Sequence, residues 1–311
     1  MDKEPLISIL SSVYNERPYI ERTIDSVLRQ TYEHWEWIIV DDGSTDGTGD
    51  ILAGIGDKRV KYFFQERSGS LAGNMNRGLS ICNGDLIAGL DGDDYWPDSK
   101  IEVQIKSFED RDVVLSYGEC AIINDKGENI GYVGLPPDSR IAHNEPRGSA
   151  LMSLVIDVDC FICNATVMYR RSSLLEVGGF VEKYGLPPDF STWVRLSLAG
   201  KFSPIPSCLG YYRKHLKSMS FTIDHVSTFE KQVQFLREFL IENFYTLRDL
   251  GFEIKTGSLE SGWRKIKTKT YIVQKLMRFS SFIGVDLVNP PILFLNRHAP
   301  IKRMIRRIIY P

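Results

Sequence analysis

Two short apolar runs, residues 35–40 and 86–90, each stop abruptly on clustered aspartates, Asp41-Asp42 in one case and Asp91, Asp93 and Asp94 in the other. A continuous apolar run of this length suits a strand covered on both faces, because a strand with one wet face alternates. A third such run, residues 6–13, ends on Tyr14-Asn15-Glu16. Between these runs lie helix-spaced apolar residues, first Ile20, Ile24, Val27 and Leu28, then residues 51–55. Residues 60–64 read as a further strand, followed by a helix that begins near Ser70 and ends by Asn83-Gly84. Strands alternating with helices at this spacing imply an α/β fold: a mainly parallel sheet flanked by helices. Ligands of such sheets sit at the carboxyl ends of the strands, so three polar strand ends converging on one edge mark the candidate site.

Beyond residue 110 the pattern is mixed. Residues 113–117 and 120–123 read as strands, Asp125-Lys126-Gly127 as a hairpin turn, and residues 130–133 as the returning strand. Residues 135–148, rich in Pro and charge, read as a mobile loop, and residues 161–169 as a strand. A short helix over 172–177 ends on Gly178-Gly179; residues 192–199 are helical, and 210–212 form a last strand. From Ser227 onward helices are expected, over 229–243 and 265–279. An apolar patch at 282–295 is broken by Asp286, Asn289, Pro290 and Pro291. The pattern divides the chain into residues 1–222 and a helical extension, 223–311.

Charge separates the same two parts. From Ser261 onward there are eleven basic residues and one acid, a net of +10, which leaves −12 on the first 260 residues of a chain whose total is −2. Residues 300–309 place Ile301, Ile305 and Ile308 on one helical face and Lys302, Arg303, Arg306 and Arg307 largely elsewhere. A basic amphipathic end of this kind suits an anionic lipid surface, or is simply a solvated helix. Nucleic acid is disfavoured as a partner, because no aromatics are interleaved with the basic residues. The five cysteines (Cys82, Cys120, Cys160, Cys163, Cys208) are odd in number and lie in apolar runs, which suits reduced thiols; Cys160 and Cys163 lack the second ligand pair a zinc site needs. The first ten residues carry acids where a signal peptide has a basic flank, and no apolar run approaches the ~20 residues that span a bilayer, so a cytoplasmic site is expected.

Carboxylates crowded at the end of a buried strand repel one another unless a cation or protons compensate. Carboxylate oxygens suit Mg²⁺ or Mn²⁺, hard ions commonly shared between protein carboxylates and substrate phosphates. Asp91, Asp93 and Asp94 therefore present either a divalent-metal site or a solvated acidic turn. In Asp41-Asp42-Gly43-Ser44-Thr45-Asp46, a turn and helix cap would account for Ser44 and Asp46. It would not account for the two carboxylates ahead of them, where an acceptor can meet a nucleobase or ribose.

The run SILSSVYNERPYIERTIDSVLRQTYEHWEWIIVDDGSTDGT, followed by GNMNRGLSICNGDLIAGLDGDD, closely resembles family 2 glycosyltransferases, which have the GT-A fold and bind nucleotide sugars. The resemblance continues through EVGGF at 176–180, Pro188-Asp189 with Trp193, and YRKHLKSMS at 212–220, so it covers about the first 220 residues. It implies that Ser12, Tyr14 and Asp42 line the base and ribose pocket, with Glu16 and Asn76 also on the donor side. It places Asp91 near the ribose and metal, Asp93 on a Mg²⁺ or Mn²⁺ ion bridging the diphosphate, and Asp94 beside them. Arg213 would fold over the diphosphate, and His215 would complete the metal shell. Asp189 would be the general base of an inverting transfer to a glycan or lipid-linked acceptor, with a UDP- or dTDP-type donor.

The sequence departs from the family pattern in three places. Pro188 stands for the usual Glu before the base, Met75 for an Arg that often precedes Asn76, and Ser12 for a common Pro. Trp193, spaced helically with Leu196, reads as core rather than as an acceptor platform. A nucleotidyltransferase would also use a metal and a nucleotide, but the basic, Gly-rich phosphate loop it needs is missing near the N-terminus. An inactive nucleotide-sugar-binding homologue would not be expected to keep Asp42, Asp91, Asp93 and Asp189 together.

Overall fold

A computed structural model describes residues 4–156, 161–181, 187–218 and 225–250. Cys160 and the expected elements at 265–279, 282–295 and 300–309 lie outside the described residues. The chain separates into two compact units, dividing after Lys214.

The first unit opens with the expected alternation: β1 (Ile7–Val13), α1 (Ile20–Leu28), β2 (Trp35–Asp41), α2 (Thr48–Ala53), β3 (Val60–Phe64), α3 (Leu71–Ile81) and β4 (Leu86–Gly89). Then come α4 (Lys100–Ile105), β5 (Val113–Ile123), β6 (Asn129–Val133), α5 (Ser139–His143), α6 (Ser149–Ile156), β7 (Met168–Arg170), α7 (Arg171–Glu176), α8 (Pro188–Leu196) and β8 (Lys201–Arg213). One eight-stranded sheet runs β3-β2-β1-β4-β7-β5-β6, and β8 pairs with β5 off that path. The pairs among β1 to β4 and the β5–β8 pair are parallel, while β7 and β6 run antiparallel to their neighbours.

β1 and β2 carry Ile7, Ile9, Val13, Trp37 and Ile39 on one face, packed with Ile20, Ile24 and Val27 of α1 and with Trp96 and Ile101. Leu10, Ile38 and Val40, on alternate positions, are equally buried on the other face, beside Met75 and Leu79 of α3. Gly78 lets α3 sit close there: a Cβ on it would lie 2.3 Å from Leu10 Cδ1. Ser70 caps α3 by accepting from the Gly73 N–H at 3.0 Å.

Several expectations need correction in the second half. The two strands expected over 113–123 are one, β5, and the short last strand is thirteen residues long. The loop expected at 135–148 carries α5, capped by Asp138, whose side chain accepts from Arg140 N. The strand expected at 161–169 is reduced to Met168–Arg170, because residues 164–166 form a 3-10 turn. That turn carries Asn164, which donates to Asp91. The helix expected at 192–199 starts instead at Pro188, where a proline's missing N–H costs nothing.

The second unit's described helices are α9 (His225–Glu242) and α10 (Phe244–Asp249). Phe235 and Phe239, one turn apart, stack with centroids at 5.9 Å, and both are buried with Leu236 and Leu247. Among the described residues, no helix is long and apolar enough to cross a membrane.

Candidate active site

The acidic loop after β2 divides its carboxylates between structure and site. Asp41 accepts from Ser44 N at 2.8 Å and from the Tyr62 hydroxyl at 2.8 Å, which makes it part of the turn. Asp46 accepts from Thr48 N at 3.0 Å and Thr48 Oγ1 at 2.6 Å at the entrance to α2. The loop after β1 is laced to this one: Asn15, with φ of 57°, donates its N–H to Ser44 Oγ at 2.9 Å and accepts from Thr45 N at 2.8 Å. Two strand ends are thereby fixed side by side.

Asp42, almost fully buried, faces the loop between β3 and α3. Gln65 Nε2 and the Ser68 N–H donate to its Oδ1 at 2.9 and 2.8 Å, the Gly69 N–H to its Oδ2 at 2.9 Å, and Arg67 forms a close ion pair with it. Burial opposes its ionisation, but these donors outweigh burial and hold the carboxyl well below the usual range. The Arg67 guanidinium also lies 3.6 Å from the centre of the Tyr14 ring. Gln65 Nε2 donates to Asn74 Oδ1 at 2.7 Å, and Asn74 Nδ2 to Ser12 Oγ at 3.2 Å. Ser12, Tyr14 and Asp42 are thus joined through one network of side chains at this edge. Three further members, Gln65, Arg67 and Asn74, were not foreseen, although the loop after β3 must lie at this edge in any parallel sheet.

Asn76 and Met75 have other tasks. Both ends of the Asn76 amide engage Phe180, donating to its carbonyl at 2.8 Å and accepting from its N–H at 2.8 Å, so Asn76 ties the 176–180 turn to α3 instead of facing the donor side. Gly179, with φ of 69°, allows this approach: a Cβ there would lie 2.6 Å from Asn76 Oδ1. Met75 is buried in the core.

At the end of β4, Asp91 Oδ2 accepts from Asn164 Nδ2 at 3.0 Å. Burial, then the charges of Asp93 and Asp189, push its pKa up to about 7 against that hydrogen bond. Gly92 is required for close packing, since a Cβ would lie 2.9 Å from both Glu16 Cγ and Val13 Cγ1. Glu16 and Asp93 bring carboxylate oxygens within 4.8 Å of one another. Asp94 is wholly buried; its Oδ1 accepts from Arg213 N at 2.8 Å, while its Oδ2 has no hydrogen-bond partner. Burial and the neighbouring aspartates raise its pKa far above the usual range.

Arg213, expected over the diphosphate, is a buried brace. Its Nε donates to the Asp93 carbonyl at 2.9 Å, and Nη1 to the carbonyls of Asn124 and Asp125 at 2.9 and 3.3 Å. Carbonyl acceptors explain how a guanidinium is buried here. His215 opens the second unit, two residues further along the chain.

Asp189 stands in the first turn of α8, where the helix dipole favours a negative charge. Its Oδ1 accepts from Phe190 N at 2.9 Å, yet burial keeps its pKa above the usual carboxylate value. Trp193, on the same helix, is buried and donates to the Tyr169 hydroxyl at 3.0 Å.

Carboxylates at the ends of β1 and β4 therefore cluster beside the hydrogen-bond network that joins β1, β2 and the β3–α3 loop, with Asp189 of α8 near enough for its charge to bear on Asp91. The glycosyl transferase family 2 model matches residues 8–178, more than half of the chain. The chain belongs to glycosyl transferase family 2.

This glycosyltransferase is 34% identical over 158 residues to the putative teichuronic acid biosynthesis glycosyltransferase TuaG of Bacillus subtilis, covering 50% of this chain and 63% of that protein. It is 32% identical over 217 residues to WfaP of Escherichia coli, a UDP-Glc:alpha-D-GlcNAc-diphosphoundecaprenol beta-1,3-glucosyltransferase, covering 69% of this chain and 80% of that one. Among solved structures, S. aureus TarS 1-349 with UDP-GlcNAc superposes with a TM-score of 0.59 at 18% identity, covering 75% of this chain and 66% of that one. The mannosyltransferase PcManGT from Pyrobaculum calidifontis, with GDP-Man and Mn2+, gives 0.56 at 18% identity, covering 77% and 65%. The match thus spans a little under two thirds of TuaG and of both structures. These likenesses establish the GT-A architecture of the first unit.

Proposed function

We propose that this glycosyltransferase moves a sugar, with inversion, from a UDP- or dTDP-type sugar to a glycan or lipid-linked acceptor in the synthesis of a surface polysaccharide. The observation that carries this reading is the crowding of carboxylates at the end of β4, where Glu16 and Asp93 bring oxygens within 4.8 Å and the charge of Asp189, from the distant helix α8, adds to those that raise the Asp91 pKa. Asp189 takes the proton from the acceptor hydroxyl as the oxygen attacks the anomeric carbon. The bond to the nucleoside diphosphate breaks on the opposite side, so one base suffices. A raised pKa strengthens Asp189 as a base. The WfaP likeness supports a diphosphoundecaprenol-type acceptor.

The crowded carboxylates fit a divalent cation: Asp91 is pushed up to about 7, partly by Asp93, and the Glu16 and Asp93 oxygens lie within 4.8 Å. In this reading Asp93, with Asp91, would hold Mg²⁺ or Mn²⁺. The ion, when bound, offsets the charge of the departing diphosphate. PcManGT was solved with Mn2+, which supports that choice. Asp94 supports the edge through its bond to Arg213. Ser12, Tyr14 and Asp42 receive the base and ribose.

A thermal-shift panel of UDP, GDP, dTDP and CDP, each with and without Mn²⁺, tests the proposal. One diphosphate should raise Tm, and more so with the metal, because it binds only the folded chain. No shift with any of the four would sink the reading.

A further inference from the structure

We infer that Arg67 and the donor's base compete for one seat, so that the 65–69 loop must leave Asp42 and Tyr14 before a nucleotide can settle there. The inference rests on the assignment of that pocket to the donor.

Three observations support it. Asp42 accepts from Gln65, Ser68, Gly69 and Arg67, all of the same loop. An ionised carboxylate offers about four lone-pair sites, so four donors leave no acceptor free for a base N–H. Next, the planar guanidinium stacks 3.6 Å above Tyr14, as a base would on the same aromatic ring. Tyr14 and the Arg67 side chain are 39% and 49% exposed, so solvent reaches both partners of the stack.

The displacement can be confined to the middle of the loop, where it also breaks the bonds of Ser68 Oγ to Asn74 Oδ1 at 3.0 Å and from Ser70 N at 3.1 Å. Gln65 is anchored outside the seat, by Arg77 Nη1 at 2.5 Å and by Asn74, and can stay when its bond to Asp42 is lost. Gly69, with φ of 71° and open space where a Cβ would stand, supplies the other hinge. Between these points only Glu66, Arg67 and Ser68 need swing. Arg67 then acts as a built-in competitor whose strength sets nucleotide affinity, since occupancy of the seat by the guanidinium lowers the fraction of competent protein.

The test uses the full chain, with UDP, GDP, dTDP and CDP plus Mn²⁺ as probes. Calorimetric titration of Arg67→Ala should give binding about tenfold tighter than wild type for the preferred diphosphate, with Arg67→Lys in between. In the wild type, saturation with that diphosphate should speed hydrogen exchange in a peptide spanning 65–70, as the Ser68 and Gly69 amides leave Asp42. Equal or weaker binding by Arg67→Ala, or slower exchange in that peptide, overturns the competition while the donor assignment stands. Failure of all four diphosphates to bind wild type and variants removes the assignment, and the competition with it.

Discussion

Asn164 donates from Nδ2 to Asp91 Oδ2 at 3.0 Å, across 73 positions of sequence. The 3-10 turn at 164–166 thereby fixes the orientation of the carboxylate that ends β4.

Asn164→Ala should lower kcat/KM for the sugar donor about tenfold or more, since a hydrogen bond to a charged group is worth about 1.5–3 kcal/mol. Tm should fall by only a few degrees. Steady-state kinetics beside a melting curve separate the two effects, and an unchanged kcat/KM would show that Asp91 needs no such hold.

Asp189→Asn should cut kcat by about 10²–10⁴, the usual contribution of a general base, while leaving nucleotide binding near wild type. In the wild type, the acid limb of the rate profile should lie above the usual carboxylate range, with activity lost as pH falls and the raised carboxyl takes its proton. An Asn variant with full transfer activity refutes the assignment.

Lys100 offers a pH test of stability away from the pocket. It is wholly buried, donates to Gln104 Oε1 at 2.5 Å, and lies 4.1 Å from the centre of Trp96. Burial pushes its pKa down to about 7 from 10.5. Between those values the unfolded chain binds more protons than the folded one, so this group makes stability rise with pH across that window. Urea unfolding at pH 7 and pH 10 should show the wild type gaining a few kcal/mol more than Lys100→Met does over the same interval. Parallel curves for the two proteins would exclude a depressed lysine.

The basic end of the sequence predicts peripheral docking on anionic lipid, which would suit a lipid-linked acceptor. Flotation with phosphatidylglycerol-containing vesicles should retain the full chain and lose a chain ending near residue 260. Equal partitioning of both would dismiss the idea.

The parallel half of the fold was legible because its strands are covered on both faces, so residues 35–40 and 86–90 had no alternation to misread. Asp42, Asp91 and Asp189 were singled out by motif order. Arg67 and Asn164 were not. Arg67 sits in a loop whose side-chain directions no periodicity reports, and Asn164 acts through a contact 73 positions away. Arg213 and Asn76 were misread for one reason: a polar side chain in a motif looks free for ligand in one dimension, while each here is spent on backbone groups of distant segments. β8 was underestimated because Pro204 and Pro206 interrupt a strand whose pairing with β5 tolerates irregular register.

The brace on Asp94 has a consequence for how the molecule is made. Its partner amide belongs to Arg213, 119 positions later, so the aspartate leaves the ribosome long before its partner does. Until β8 is released, the β1–β4 half must either keep this end of β4 wet or carry its carboxylates protonated. The carboxylate edge is therefore the last part of the first unit to close. A nascent chain stalled before residue 213 should hold the parallel strands together with their acidic end still open.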